Sequence, residues 1–432
     1  VNILFFILIA LSFGVAAYHQ IVDPLAAGMP SAMDALSKAM LDSAAGAVTL
    51  TLGLVGSMTL FLGLMKVAEA GGLLAVIARL LRPALVRLFP DVPANHPAMG
   101  AMIMNISANV LGLGNAATPF GIRAMQELDR LNPLKGTASN AMVLFLAINT
   151  SSVTLLPTGV VALRAAAGSQ DPAGIVATTL VATTLSTLTA VITAKLLARF
   201  FPLGSTPIDL SAVPAPEEAP ADPSAPLPAT ETGAYPGWVS AVALLAFFSI
   251  IPLTILWGKA IAPWIIPGLA MLLLGYGAVR RVRVYEVFVD GARDGFQLAI
   301  RIIPYLVAIL VAVAMFRASG AMEVILTPLG ALTAPFGLPA EALSMALLRP
   351  LSGSGAFAVL ASIINDPAIG PDSYVGYLVS TIQGSTETTF YVLAVYFGAV
   401  GIRRMRHAVW TGIIADIAGV AGAVMICSLL YG

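Results

Sequence analysis

From Ile3 to Ala17, and again from Trp238 to Trp257, the chain runs without one charged side chain. Apolar helices of about 20 residues match the hydrocarbon thickness of a bilayer. The remainder agrees: 58% of the 432 residues are hydrophobic and 10% are charged, against about 25% charged in an average soluble domain. An ordinary soluble enzyme is excluded, because too few charged side chains exist to cover its surface. The chain is predicted to be an all-α polytopic membrane protein with about ten to twelve spans. Basic and acidic residues balance at 22 each, so no overall field attracts nucleic acid. The opening run is read as the first span. Its rival is a cleaved leader ending at Ala16 and Ala17, although the run lacks the positive start of a secretory signal.

Near the middle, Pro207, Pro214, Pro216, Pro220, Pro223, Pro226 and Pro228 alternate with Ala, Ser, Glu and Asp. Such a stretch buries too little apolar surface to offset its ordering entropy, so 203–236 is expected to be a disordered cytoplasmic linker. It separates an N-terminal membrane repeat, 1–202, from a C-terminal one, 237–432. The halves share landmarks in the same order. Charges recur every fourth residue at Asp34, Lys38 and Asp42, and at Glu286, Asp290 and Asp294, which suits a helix along the membrane surface or over a polar cavity. Small-residue turns follow at Ala70-Gly71-Gly72 and Ser319-Gly320-Ala321. Polar, Gly-containing segments come next, Asn105 to Asn115 and Pro350 to Gly355, then Asn149 to Thr154 and Gln383 to Thr388. Two pseudo-symmetric repeats with broken transmembrane helices are therefore expected.

Taking the first polar segment of each half as a broken crossing, and adding one connecting span, inverts the second repeat relative to the first. The basic residues then favour the linker side, which holds Lys66, Arg123, Arg130, Lys135, Lys195, Arg199, the Arg280 to Arg283 group and Arg403 to Arg406. Arg79, Arg82 and Arg87 fall on the other side and strain the arrangement. Were the polar segments re-entrant, the halves would run parallel.

Inside hydrocarbon, Asn, Ser, Thr and Gln clustered with Gly mark places where helices break around a cavity. Asn105, Ser107, Asn109, Asn115, Asn149, Thr150 and Ser151, with Gly114 freeing the backbone, are expected to line one side of a solute site. Arg349, Ser352, Ser354, Gln383, Ser385 and Glu387 are expected to line the other. The bland reading is helix packing through small residues. Glu387 is either a proton carrier, a cation ligand or a structural partner of Arg349. A paired Arg349 implies a neutral solute, and a free one an anion. Phe120 to Asn132 has the pattern of an amphipathic surface helix. No nucleophile and base stand at a usable spacing, and His19, His96 and His407 are scattered. Neither an enzyme nor a metal protein is expected.

Asn109-Val-Leu-Gly-Leu-Gly-Asn-Ala-Ala-Thr-Pro119 resembles the signature of spore maturation protein A. Arg349-Pro-Leu-Ser-Gly-Ser-Gly355 and Gln383-Gly-Ser-Thr-Glu-Thr-Thr-Phe-Tyr-Val-Leu-Ala-Val-Tyr-Phe397 are similar to spore maturation protein B. The chain thus resembles a fusion of the two, apart from its linker. The wider resemblance is to the nucleoside-recognition or gate domain shared with concentrative nucleoside transporters and ferrous-iron permeases. It implies an inverted-repeat permease and fixes no nucleoside substrate, because one fold carries several cargoes.

The function expected is a multi-pass transporter of the bacterial inner membrane that moves a small polar or anionic solute. It would need no cofactor beyond a coupling proton or sodium ion. Its partners would be the solute, membrane lipids and further copies of the chain. The alternatives are a lipid-headgroup translocase, with a groove open sideways to lipid, and a non-transporting membrane scaffold serving envelope or spore-core maturation.

Overall fold

The computed structural model describes residues 2–22, 31–112, 114–155, 157–202 and 235–432. The linker assigned to 203–236 therefore lies almost wholly outside the described residues. These form sixteen α-helices, one 3-10 turn and no strand, the architecture of an all-α polytopic membrane protein. Before the linker come α1 (Asn2–Val22), α2 (Ala32–Ala70), α3 (Leu73–Leu88), α4 (Pro97–Val110), α5 (Gly114–Leu131), α6 (Asn140–Ser151), α7 (Thr158–Ala166) and α8 (Ile175–Leu197). After it come α9 (Gly237–Val279), α10 (Val284–Ala318), α11 (Ala321–Thr333), α12 (Ala340–Leu348), α13 (Gly353–Ile364), α14 (Tyr374–Ser385), α15 (Thr389–Gly398) and α16 (Ala408–Tyr431).

The charged stretches predicted as surface helices are the first turns of α2 and α10. Ser31 caps α2, accepting from the Asp34 amide while Asp34 reaches back. Farther along, α2 and α10 meet through glycine. A Cβ on Gly291 or Gly295 would overlap the backbone of Leu62 or Met58 and Thr59, the close approach that drives helix association in lipid. Each long helix then ends at a left-handed glycine, Gly72 at φ 84° and Gly320 at φ 78°, where a side chain would be strained.

Among the described residues, Phe5–Val22, Ile175–Leu197 and Ala408–Tyr431 are long and apolar enough to cross a bilayer singly. Met58–Ala70 with Leu73–Leu88, bent by 69°, and Pro328–Phe336 with Ala340–Leu348, bent by 94°, qualify only as pairs. The count is of the described residues, whereas the expected ten to twelve spans are for the whole chain. The polar segments cut other helices into pieces too short to register singly, such as α6 and α7 at 12 and 9 residues.

The first polar segment is not a broken crossing. α4 and α5 fold back on each other: the Asn105 amide on α4 donates to Ala117 O on α5 at 2.8 Å, and Gly121 faces Asn105. The turn at Leu111 and Gly112 is a hairpin tip, and residues 97 and 131 share one side. Arg82 binds Ala94 O and Asn95 Oδ1, each at 3.3 Å, just before α4, which moves it to the side that the basic residues favour. Along 120–132 the expected apolar face is turned into the protein. Ala124, Met125 and Leu128 are buried, and buried Glu127 is held by Arg123 at 3.1 Å and Arg130 at 2.8 Å.

The crossings that do break are α6–α7 and α14–α15, and they run antiparallel, so a re-entrant first segment does not bring the parallel arrangement expected of it. Serines cap their starts: Ser139 accepts from the Met142 amide and Ser373 from the Gly376 amide. Each then lends its second piece to the other half's core. Val392, Leu393, Tyr396 and Phe397 of α15 pack with Met99, Met102 and Phe145, while Val160, Val161 and Leu163 of α7 pack with Val359, Leu360 and Leu378. Loops clasp both ends. On the linker side, the Arg403 and Arg404 amides donate to Gly136 O at 2.8 and 3.0 Å, and Arg406 binds Ala138 O, Asn140 Oδ1 and Phe201 O. On the opposite side, fully buried Arg164 donates to Pro371 O at 2.6 Å and to Asp372 at 3.0 Å, with its guanidinium 4.2 Å from the Tyr377 ring centroid.

Candidate functional site

A helix that breaks within hydrocarbon exposes carbonyls and amides with no intrahelical partner, and each must be met by protein. At the first break, between Ser151 and Thr158, the means are uncharged. The Leu155 amide donates to Val110 O at the hairpin tip, 3.0 Å away, and Thr187 on α8 donates to Ser151 O at 3.0 Å. Around them runs an amide chain. Asn109 donates to Asn149 Oδ1 at 2.9 Å, Asn149 donates to Phe145 O at 2.9 Å, and Asn105 reaches the Tyr396 hydroxyl at 3.1 Å. Tyr396 stacks on Phe145, ring centroids 6.1 Å apart, so α15 of the second half completes this cluster.

The second break, 386–388, is closed by a charge. Buried Arg349, at the end of α12, donates to Gln383 O at 3.1 Å, to Thr388 Oγ1 at 3.0 Å and to Thr386 O. Its guanidinium also lies 3.6 Å from Glu387, whose side chain is 46% exposed. Arg349 is thus the cap of a broken helix and the partner of Glu387. The Phe390 amide donates to Pro350 O at 3.1 Å, as Leu155 does to Val110. A second acid meets the start of α15. Asp416, 5% exposed on α16, accepts from Thr389 at 2.8 Å through Oδ2, while its Oδ1 has no partner. Glu387 alone lies within ion-pair distance of Arg349.

The breaks touch, since the Glu387 amide donates to Thr150 O at 2.7 Å. The structure brings together Asn105, Asn109 and Asn149 on one side, and Arg349, Gln383 and Glu387 on the other. Other expected lining residues turn inward on their own helices. Ser107 donates to Ile103 O, Thr150 and Ser151 to Ala147 O, and Ser385 to Ile382 O. Ser352 caps α13 by accepting from the Gly355 amide, and Ser354 is exposed. Gly114 opens α5, whereas the Asn115 side chain lies outside the described residues. Sequence reasoning missed Tyr396, Thr388 and Asp416. Asp416 carried a signal: it is the one acid in the apolar run Ala408–Tyr431. Among the described residues no group of three or more His, Cys, Asp or Glu could hold a metal ion.

Comparison with known proteins agrees with this architecture. The family model for the nucleoside-recognition gate domain matches residues 51–167 and 299–403, on both sides of the linker. Spore maturation protein B of Bacillus subtilis (strain 168) is 45% identical over 173 residues, covering 40% of this chain and 94% of that protein. Spore maturation protein A of the same organism is 46% identical over 157 residues, 36% of this chain and 80% of that protein. The two match different parts, as in a fusion. No solved structure matches. Two gate segments flanking the linker, on a polytopic helical fold, show that the chain belongs to the nucleoside-recognition gate family.

Proposed function

We propose that this protein is a membrane permease built from two pseudo-symmetric repeats in inverted orientation, carrying a small uncharged solute with polar groups past the place where its two broken helices meet. The observation that carries this reading is the contact of the two breaks beside Arg349, Glu387 and Asp416, deep within apolar helices. Broken backbone and buried charge are costly in hydrocarbon and are kept where a pathway needs them. An anionic solute is disfavoured because Arg349 is engaged by three groups of the second break and by Glu387. Asp416, buried with one carboxylate oxygen unpartnered, leaves a place for a positive charge, and a proton or a sodium ion fills that role as the coupling ion. The antiparallel run of α6–α7 and α14–α15, with a loop clasp at each end, supports the inverted arrangement. The Arg403 to Arg406 group beside the end of α8 supports a cytoplasmic linker side in a bacterial inner membrane. Solute movement is then the form in which this chain would share the spore maturation for which both relatives are named.

The test is uptake of a labelled solute panel into proteoliposomes under an imposed pH or sodium gradient. Saturable, gradient-driven uptake of an uncharged solute, lost in Glu387→Gln and Asp416→Asn while both variants melt cooperatively, is the expected result. Absence of uptake under either gradient by cooperatively melting wild-type protein sinks the reading.

A further inference from the structure

The helices α8 and α16 lie side by side against the broken crossings. Both rest on α6 and α14, and they meet closely, with Ser186 Oγ donating to Ala415 O at 2.8 Å and Gly422 set against Ala182. Away from that core each presents an apolar stripe. Leu188, Ile192 and Leu196 are exposed on α8, and Trp410, Ile414, Ile417 and Met425 on α16, each set at the spacing of one helical face. Exposed stripes of this kind on adjacent spanning helices offer a surface for acyl chains.

At the linker-side end of the seam the chemistry changes. Lys195 and Arg199 are exposed where α8 ends, and Arg403 and Arg404 in the loop that leads into α16. Arg406 ties the two together, its Nε donating to Phe201 O at 2.9 Å just after α8. The acids of the adjoining segment are already taken, Asp129 by Lys135 at 3.1 Å and Glu127 by Arg123 and Arg130. Among the described residues no carboxylate forms an ion pair with Lys195, Arg199, Arg403 or Arg404. Four exposed cations without counter-ions attract an anion, and the planar guanidinium suits a phosphate. Trp410, in the first turn of α16, stands between these cations and the apolar stripe, the level at which indole rings settle at a headgroup boundary. We propose that the linker-side end of the α8–α16 seam binds an anionic phospholipid, its phosphate among Lys195, Arg199, Arg403 and Arg404 and its acyl chains along the exposed faces of the two helices. Long basic side chains reach from the end of a span into the headgroup layer. A soluble phosphate would make no use of the stripes, and a zwitterionic lipid brings no net charge to the cations. The site goes beyond the permease reading and stands without it.

The test places the full chain in phosphatidylcholine bilayers with Trp238→Phe, Trp257→Phe and Trp264→Phe, so that Trp410 is its one tryptophan. Brominated phosphatidylglycerol or brominated phosphatidylcholine is then added, because a brominated acyl chain quenches an indole it touches. Phosphatidylglycerol is expected to quench at about fivefold lower mole fraction, the effect of about 1 kcal/mol from a basic residue at an anionic surface. Arg199→Gln, Arg403→Gln and Arg404→Gln together should abolish that difference. Arg281→Gln, Arg283→Gln and Arg293→Gln together remove the same charge at the start of α10 and should preserve it. Equal quenching by the two lipids before these changes, or equal loss in both triple variants, overturns the site. Removal of the preference by excess glycerol phosphate also overturns it, since a soluble phosphate would then be the ligand. A second readout needs no tryptophan change. In native mass spectrometry the detergent-purified wild-type chain is expected to retain phosphatidylglycerol over phosphatidylcholine, and equal retention by the Arg199, Arg403 and Arg404 triple variant refutes the proposal.

Discussion

The two broken crossings solve one physical problem with different chemistry. In α6–α7 the freed backbone is met by Thr187, by a hairpin-tip carbonyl and by a chain of Asn side chains, all neutral. In α14–α15 it is met by one guanidinium that also holds an acid. The neutral solution borders a cavity with apolar walls. The charged solution leaves one acid half exposed and another buried with a free oxygen. The uncharged and the charged solution thus fall on helices before and after the linker respectively.

The comparison breaks most readily at Arg349. Arg349→Met removes three hydrogen bonds to the second break, and a hydrogen bond to a charged group typically contributes about 1.5–3 kcal/mol. A loss of that size is expected in denaturant unfolding of the reconstituted protein, and a near-neutral result would refute Arg349 as the cap. Asn149→Leu is the matched change at the first break. It strands Asn109 and is expected to cost about 1–3 kcal/mol, the usual penalty for an unmet buried polar group. The gap between the two variants measures how much more the charged solution bears.

The clasps offer a smaller test with a sign. Outside the spans, burial first and the Arg406 charge second press His407 from 6.5 down to about 4. The fold therefore prefers the neutral imidazole, so stability is complete above pH 6.5 and falls as pH drops toward 4, by at most about 1.4 kcal/mol per pH unit. His407→Phe should remove that slope in a melting series across this window. At the opposite clasp burial raises the Asp171 carboxyl, with Arg164 opposing, so its contribution runs the other way and is lost as pH rises through that raised value. The smallest effect is expected for Glu387→Gln on stability, within about 1 kcal/mol, because the carboxylate is half exposed. Its loss should appear in flux.

Much of the site was legible because polar residues in apolar runs are costly and stand out. Asn109, Asn149, Arg349 and Glu387 were found on that ground, and Asp416 obeys the same rule inside Ala408–Tyr431. What composition could not separate was a hydroxyl that lines a site from one that bonds its own helix. Ser107 and Thr187 look alike in sequence, yet one donates to Ile103 O of its own helix and the other to Ser151 O at the first break.

The sequence alone determined the solvent, the helical class and the presence of polar segments that interrupt helices, because these follow from local hydropathy and from the cost of polar groups in hydrocarbon. Only the tertiary structure decided that 97–131 is a hairpin, that Arg82 shares its side, and that α15 completes the first half's core. Those are questions of which distant segments meet. A turn of Leu, Gly and Asn serves a crossing and a hairpin equally well until packing partners such as Asn105 and Ala117 choose between them.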